Sequence, residues 1–300
     1  MANGVATLGA APVRDADAKP RSASWDAMRR LLRHRSFQTG LVLFSIILVA
    51  AICAPLITAA DPNKLAMRAR FKPPSLDFWF GTDNFGRSQL ARIVYGAQLS
   101  LMIGTAVVVI NAVFGTLLGA ISGYFRHLDN VLMRINDAIM AFPAILLAIG
   151  VAAVLGRSMP NMILALSIVY IPRTARIVRS SVIVIRQMEY VQAAVAAGAG
   201  HWRILRRHIL PNSMAPLLVQ LSFLFAYAVL TEATLSFLGL GAEPPTPTWG
   251  NIMAEGRQYM REAPWIIAIP GAALAITVMA LNLLGDGLRD ILDPRLRIQQ

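Results

Sequence analysis

The residues able to do chemistry in this 300-residue chain are few, and their spacing excludes more reactions than it permits. A phosphate-cradling loop needs lysine directly after glycine, so that the ammonium group reaches the β- and γ-phosphates. The only lysines are Lys19, Lys64 and Lys72, and none follows a glycine. ATP hydrolysis by that route is excluded. The histidines, His34, His127, His201 and His208, lack the i, i+4 spacing that sets two imidazoles around zinc on one helix face. Cys53 is the single cysteine and lies in an apolar run, where it reads as a small buried hydrophobe. No metal site is expected. There is no Gly-x-Ser-x-Gly elbow for acyl transfer.

Two acidic positions stand apart. Glu232, in the apolar stretch LTEATLSF, is an ionisable group inside a candidate membrane span, which makes it either pathway-lining or structural. Asp137, next to Asn136, reads as the partner of Arg134 in a local pair at a membrane edge.

The segment with the most information is Arg173 to Asn212. Glu189 through Ala197 is alanine-rich and favours a helix. Gly198-Ala199-Gly200 breaks it. Trp202 to His208 forms a second short helix that stops at Pro211. The result is a helix–turn–helix elbow whose small alanine face admits close approach by another protein's groove.

The elements that position this elbow are membrane spans. Hydrophobic residues make up 56% of the chain and charged residues 15%, with mean hydropathy +0.56. Soluble domains run near 45–50% apolar and about 25% charged, so a soluble enzyme is excluded. Apolar blocks fall at Gly40–Ala60, Leu99–Tyr124, Ala138–Leu155, Met214–Leu235 and Trp265–Leu284. A sixth, starting near Met159, is interrupted at Pro172 and Arg173. Pro143 and Pro270 are positioned to bend the third and sixth spans. Ahead of the first span, Trp25 to Phe37 reads as a basic amphipathic helix lying on an anionic leaflet.

With six spans and the N-terminus inside, nineteen of the 28 basic residues fall on the inner side. That asymmetry places both termini in the cytoplasm. The net charge of +12 is thereby explained by topology, and no nucleic-acid partner is expected. Asp61, Asp77, Asp83, Arg87 and Arg92 fold a small outer cap facing a partner. No internal repeat relates the spans, so they read as half of a larger pore and not as a self-contained secondary transporter.

The elbow resembles the EAA loop of membrane subunits of ATP-binding-cassette importers. That pattern falls on Gln192, Ala193, Ala194, Gly198, His208, Leu210 and Pro211, with Gln192 in place of Glu and His208 in place of Ile. Glu189 opens the same helix. Further segments resemble the dipeptide/oligopeptide/nickel branch of these permeases, in particular its second, shorter subunit. They are Phe80–Arg87, Leu235–Gly241, Pro244–Asn251, Gly256–Tyr259, Ala263–Trp265 and Leu284–Asp290.

The resemblance implies an all-α polytopic protein with six transmembrane helices and a type I importer core, in a bacterial inner membrane. Its segments are a cytoplasmic tail with the amphipathic helix at 1–37, a first span at 38–60 and a periplasmic segment at 61–97. A permease core follows at 98–287, containing the coupling loop at 186–212, and a cytoplasmic tail at 288–300. The implied partners are a second homologous permease, two cytoplasmic ATPases that hold ATP and Mg, an external substrate-binding protein, and membrane lipid. The chain itself carries no cofactor and is not an enzyme. The implied cargo is di- or oligopeptides; nickel chelates, glutathione, opines and oligosaccharides are the alternatives.

Overall fold

The computed structural model describes residues 29–292, and among them the regular structure is helical. The main helices are α1 (Arg35–Ile52), α2 (Gln89–Tyr124), α3 (Arg126–Met140), α4 (Ala144–Leu155) and α5 (Met159–Arg186). They are followed by α6 (Glu189–Ala196), α7 (His201–Ile204), α8 (Met214–Phe237), α9 (Trp249–Gly256) and α10 (Trp265–Leu292). Five helical runs are long and apolar enough to cross a membrane, and α3 with α4 make a sixth if the bent pair counts as one span.

Glycine sets the closest helix pair. Gly115, Gly119 and Gly123 recur every fourth residue on α2 and face α5. A Cβ at Gly115 would come within 2.7 Å of Thr174 Cβ, and one at Gly119 would collide with the Ala175 carbonyl. Without side chains at these positions the backbones approach directly, the usual way helices pack where lipid removes the hydrophobic drive. Ile103 and Val107 of α2, Leu166 and Val169 of α5, and Leu224 and Ala228 of α8 then close one buried cluster with Ala148 of α4. Tyr170 and Thr231 hydrogen-bond across it at 2.7 Å. The first span, α1, lies along α10, where Gly40 meets the Ala280 carbonyl and Gly287 meets Phe37.

Several elements differ from the sequence reading. The second span starts at Gln89, ahead of Leu99, because Ser88 caps it by accepting from the Ala91 N–H. The third apolar block is not one helix: α3 and α4 are bent by 90° around Ala141–Pro143. Pro143 stands at the N-cap of α4, where its missing N–H costs nothing. The fourth span is continuous through Pro172 and Arg173 to Arg186, so the elbow begins at Gln187. Buried packing of Pro172 against its neighbours holds a helix that local propensity would end. The first span ends at Ile52, followed by the separate turn Ala54–Ile57. The last runs on to Leu292.

The amphipathic helix expected at 25–37 lies partly outside the described residues. Within them it is interrupted at 32–34 before α1 begins. Asp137 pairs with Arg176 of α5 at 2.6 Å and not with Arg134. Alongside it, Asp129 takes both Nε and Nη2 of Arg179 at 2.5 Å. The polar side of α3 is thus turned onto α5, which local spacing did not disclose.

Candidate coupling site

The elbow is built from local chemistry. Alanine and the acidic Glu189 in the first turn favour α6, and Gly198 ends it at φ 78°. The Gly198 N–H donates to the Val195 carbonyl at 2.9 Å, and Ala199 N–H to Ala194 at 3.0 Å. This pair of bonds is the Schellman arrangement, which requires a left-handed residue that glycine adopts without strain.

The second arm does not stop at Pro211. It runs through α7, a wide turn at Leu205–Ile209 and a tight turn at Pro211–Ser213 into α8, giving one helical run from His201 to Phe237. In the wide turn the Leu210 N–H reaches back to Leu205 at 2.9 Å. Pro211 has no N–H for the usual bond, and its ring would strike the carbonyl four residues back. Widening the helix just ahead of it relieves that conflict.

Two side-chain bonds tie the elbow to the ends of two spans, and a third joins those ends to each other. Gln192 Nε2 donates to the Arg186 carbonyl at 2.8 Å. Arg186 Nη1 donates to the Tyr124 carbonyl, the last residue of α2, at 2.7 Å. The Tyr124 hydroxyl meets His201 Nδ1 at 2.9 Å. Beneath them Val191, Ile204, Leu205 and Ile209 are buried with Val178, Val182 and Ile185 of α5.

The residues singled out by sequence are therefore gathered into one elbow, with different exposures. Glu189, Gln192, Ala193, Gly198 and Pro211 are exposed, while Ala194, His208 and Leu210 are half-buried. The His208 ring lies 6.4 Å from that of Tyr190.

Glu232 sits elsewhere, in α8 beneath α9, with no exposed surface. Ser236 donates to its Oε1 at 2.8 Å, and Ser100 and Thr248 face the same carboxylate. Its own chain encloses it on all sides.

A second ion cluster escaped the sequence reading in part. Asp83, Arg87 and Arg92 come together with Glu255 of α9, a residue not singled out before. Arg87 Nε is 2.5 Å from Asp83 Oδ2, and Arg92 Nη1 is 2.9 Å from the same oxygen. Arg92 binds both oxygens of Glu255, at 2.6 and 3.0 Å, and Arg87 also reaches it. Arg92 and Asp83 are fully buried. This network fastens the segment before α2 onto α9, while Asp61 and Asp77 remain exposed outside it. Among the described residues no group of three His, Cys, Asp or Glu is placed to hold a metal.

Residues 115–298 match the family described as the binding-protein-dependent transport system inner membrane component. The chain belongs to this family. Residues 22–74 match the N-terminal transmembrane domain of oligopeptide transport permease C. A Brucella abortus protein named as a peptide transport system permease is 56% identical over 271 residues, 90% of this chain and 92% of the relative. The dipeptide transport system permease DppC of Alkalihalophilus pseudofirmus is 44% identical, covering 91% and 90%. The glutathione transport system permease GsiD of Pectobacterium atrosepticum is 41% identical, covering 90% of each.

As a member, this all-α chain is a multi-pass inner-membrane permease subunit of an ATP-binding-cassette importer. It is not an enzyme; in such systems ATP hydrolysis and substrate capture belong to other chains. The self-contained secondary transporter is set aside on the same ground.

Proposed function

We propose that the chain forms one half of a translocation pathway with a second, homologous permease, and that its elbow is where one of two cytoplasmic ATPases acts on that pathway. The observation that carries this reading is the set of bonds through Gln192, Arg186, Tyr124 and His201. They join the elbow to the inner ends of α2 and α5, so a push on the elbow displaces both spans. Alternating access needs such an element, biased by a ligand between two arrangements. Here the ligand is ATP with Mg, held by the ATPases and not by this chain. Glu232, sealed within its own chain, serves the junction of α2, α8 and α9.

Both termini lie in the cytoplasm in this reading, which puts the elbow on the same side as the ATPases. The Lys/Arg asymmetry supports it. An external binding protein delivers the cargo to the opposite end, where the ion network fixes the cap.

The cargo is a di- or oligopeptide. The names of the peptide and dipeptide relatives support it, and the glutathione relative keeps that tripeptide as a second candidate. The test is accumulation of a labelled dipeptide in cells lacking this chain, against the complemented strain, with unlabelled tripeptide, nickel and glutathione as competitors. Loss of uptake on deletion, with competition by peptides, is the expected result. Unchanged dipeptide uptake, or competition by nickel alone, removes the peptide assignment.

A further inference from the structure

The second arm of the elbow carries positive charge that the described residues do not neutralise. Arg203, Arg206 and Arg207 are exposed, and among the described residues no carboxylate lies within 4.0 Å of any of them. Three other arginines at this end have partners within the chain. Arg176 binds Asp137, Arg179 binds Asp129, and Arg186 binds the Tyr124 carbonyl. Arg126, Arg134 and Arg289 are likewise exposed without a carboxylate within 4.0 Å; in the arm three such arginines lie within five residues.

The three arginines line one concavity with Trp202, His201 and the glycines of the break. Spacings of three and four residues bring side chains to one side of a helix. Trp202 stands 66% exposed in their midst. Gly198 and Gly200 leave the approach open, since a Cβ at either would meet nothing within 4 Å.

Anionic headgroups and an acidic protein face are the two surfaces of opposite charge available to such a rim. Distance along the helix favours the protein. The run from His201 to Phe237 is continuous. A hydrocarbon core about 30 Å thick takes about 20 residues, which counted back from Phe237 reaches Leu218. The headgroup layer adds about 5–7 Å, to the level of Ser213. At about 1.5 Å per residue, Arg206 then lies about 10 Å beyond that layer and Arg203 about 15 Å.

We propose that this arginine rim seats an acidic face of the ATPase subunit, with carboxylates closing over Trp202. The proposal rests on the elbow being the ATPase-docking site. Gln192, uncharged and turned back onto Arg186, offers that partner no charge, so the attraction comes from the second arm. Exposed charges across an interface act on encounter and register, and their effect fades as salt shortens the screening length.

The test uses the whole transporter, captured through a tag on this chain in nanodiscs, with ATPase retention measured from low to high salt. Combining Arg203→Gln, Arg206→Gln and Arg207→Gln is expected to weaken retention about tenfold or more at low salt and to flatten its salt dependence. Combining the three Arg→Lys changes keeps the charge and should keep most of the retention. Wild-type retention with a wild-type salt slope in the glutamine variant overturns the proposal. So does an effect of that variant seen in anionic but not in neutral-lipid nanodiscs, which would assign the rim to lipid.

Docking itself is read separately, by thiol cross-linking of Ala197→Cys to the ATPase in a Cys53→Ala background. A cross-link without charge dependence leaves the coupling reading standing and removes the rim. Absence of both the cross-link and the charge effect removes the two together.

Discussion

The Gln192 side chain closes the end of the helix that precedes it: its Nε2 donates to the Arg186 carbonyl at 2.8 Å. Glutamate stands at this position in the family pattern, and a carboxylate has no N–H to give. Gln192→Glu therefore places an acceptor against an acceptor, at the negative end of the α5 dipole. The expected cost is about 1 kcal/mol, felt locally in α6. Hydrogen exchange of the α6 amides should quicken about fivefold, while helices remote from the elbow keep wild-type rates. Unchanged α6 exchange would show that the bond contributes nothing to holding the elbow.

Gly198 combines φ 78° with open space around its missing Cβ. Gly198→Ala strains only the backbone, by about 1 kcal/mol, whereas Gly198→Asp adds a charge to the docking face. Both variants should insert normally. Transport should fall modestly in the first and be uncoupled in the second, with ATP still hydrolysed and cargo not moved. Normal uptake by Gly198→Asp, at normal protein level, counts against the coupling role.

Gly119 faces the Ala175 carbonyl and Val178 with no room for a methyl group. Gly119→Ala should force α2 and α5 apart and destabilise the fold by about 1–3 kcal/mol. A lowered midpoint of thermal unfolding in detergent checks this. The same change at Gly150, inside α4 where a Cβ meets nothing within 4 Å, should not lower that midpoint, since alanine favours the helix.

Glu255 is the acceptor shared by Arg87 and Arg92. Glu255→Ala leaves Arg92, fully buried, with Asp83 alone, and the expected loss is about 3–5 kcal/mol. Glu255→Gln retains one acceptor and should lose less. Limited proteolysis of the segment before α2 reports the effect: rapid cleavage in the alanine variant is expected, and wild-type resistance would show that the cap is held by other contacts.

Much of this architecture is legible in the chain before folding. Blocks of about 20 apolar residues can satisfy their backbone only as helices in lipid, so the spans of α1, α2, α8 and α10 follow from composition and length. The first arm of the elbow is equally local, since alanines favour α6 and Gly198 ends it within one turn. These features depend on residues a few positions apart, and such preferences survive without any tertiary partner.

Other features had no local signal. Pro172 reads as a helix end, yet α5 passes through it because both sides of that helix are packed. Asp137 has Arg134 within reach on its own helix but binds Arg176, because the polar side of α3 lies against α5. Glu255 is separated from Arg92 by 163 residues, and nothing at either position names the other. The chain's own residues determined that it spans a membrane and bends once outside it. Which buried charges meet, and which arginines of the elbow are left without a partner, was decided only by the packing of distant helices, because burial makes pairing obligatory while sequence distance conceals it.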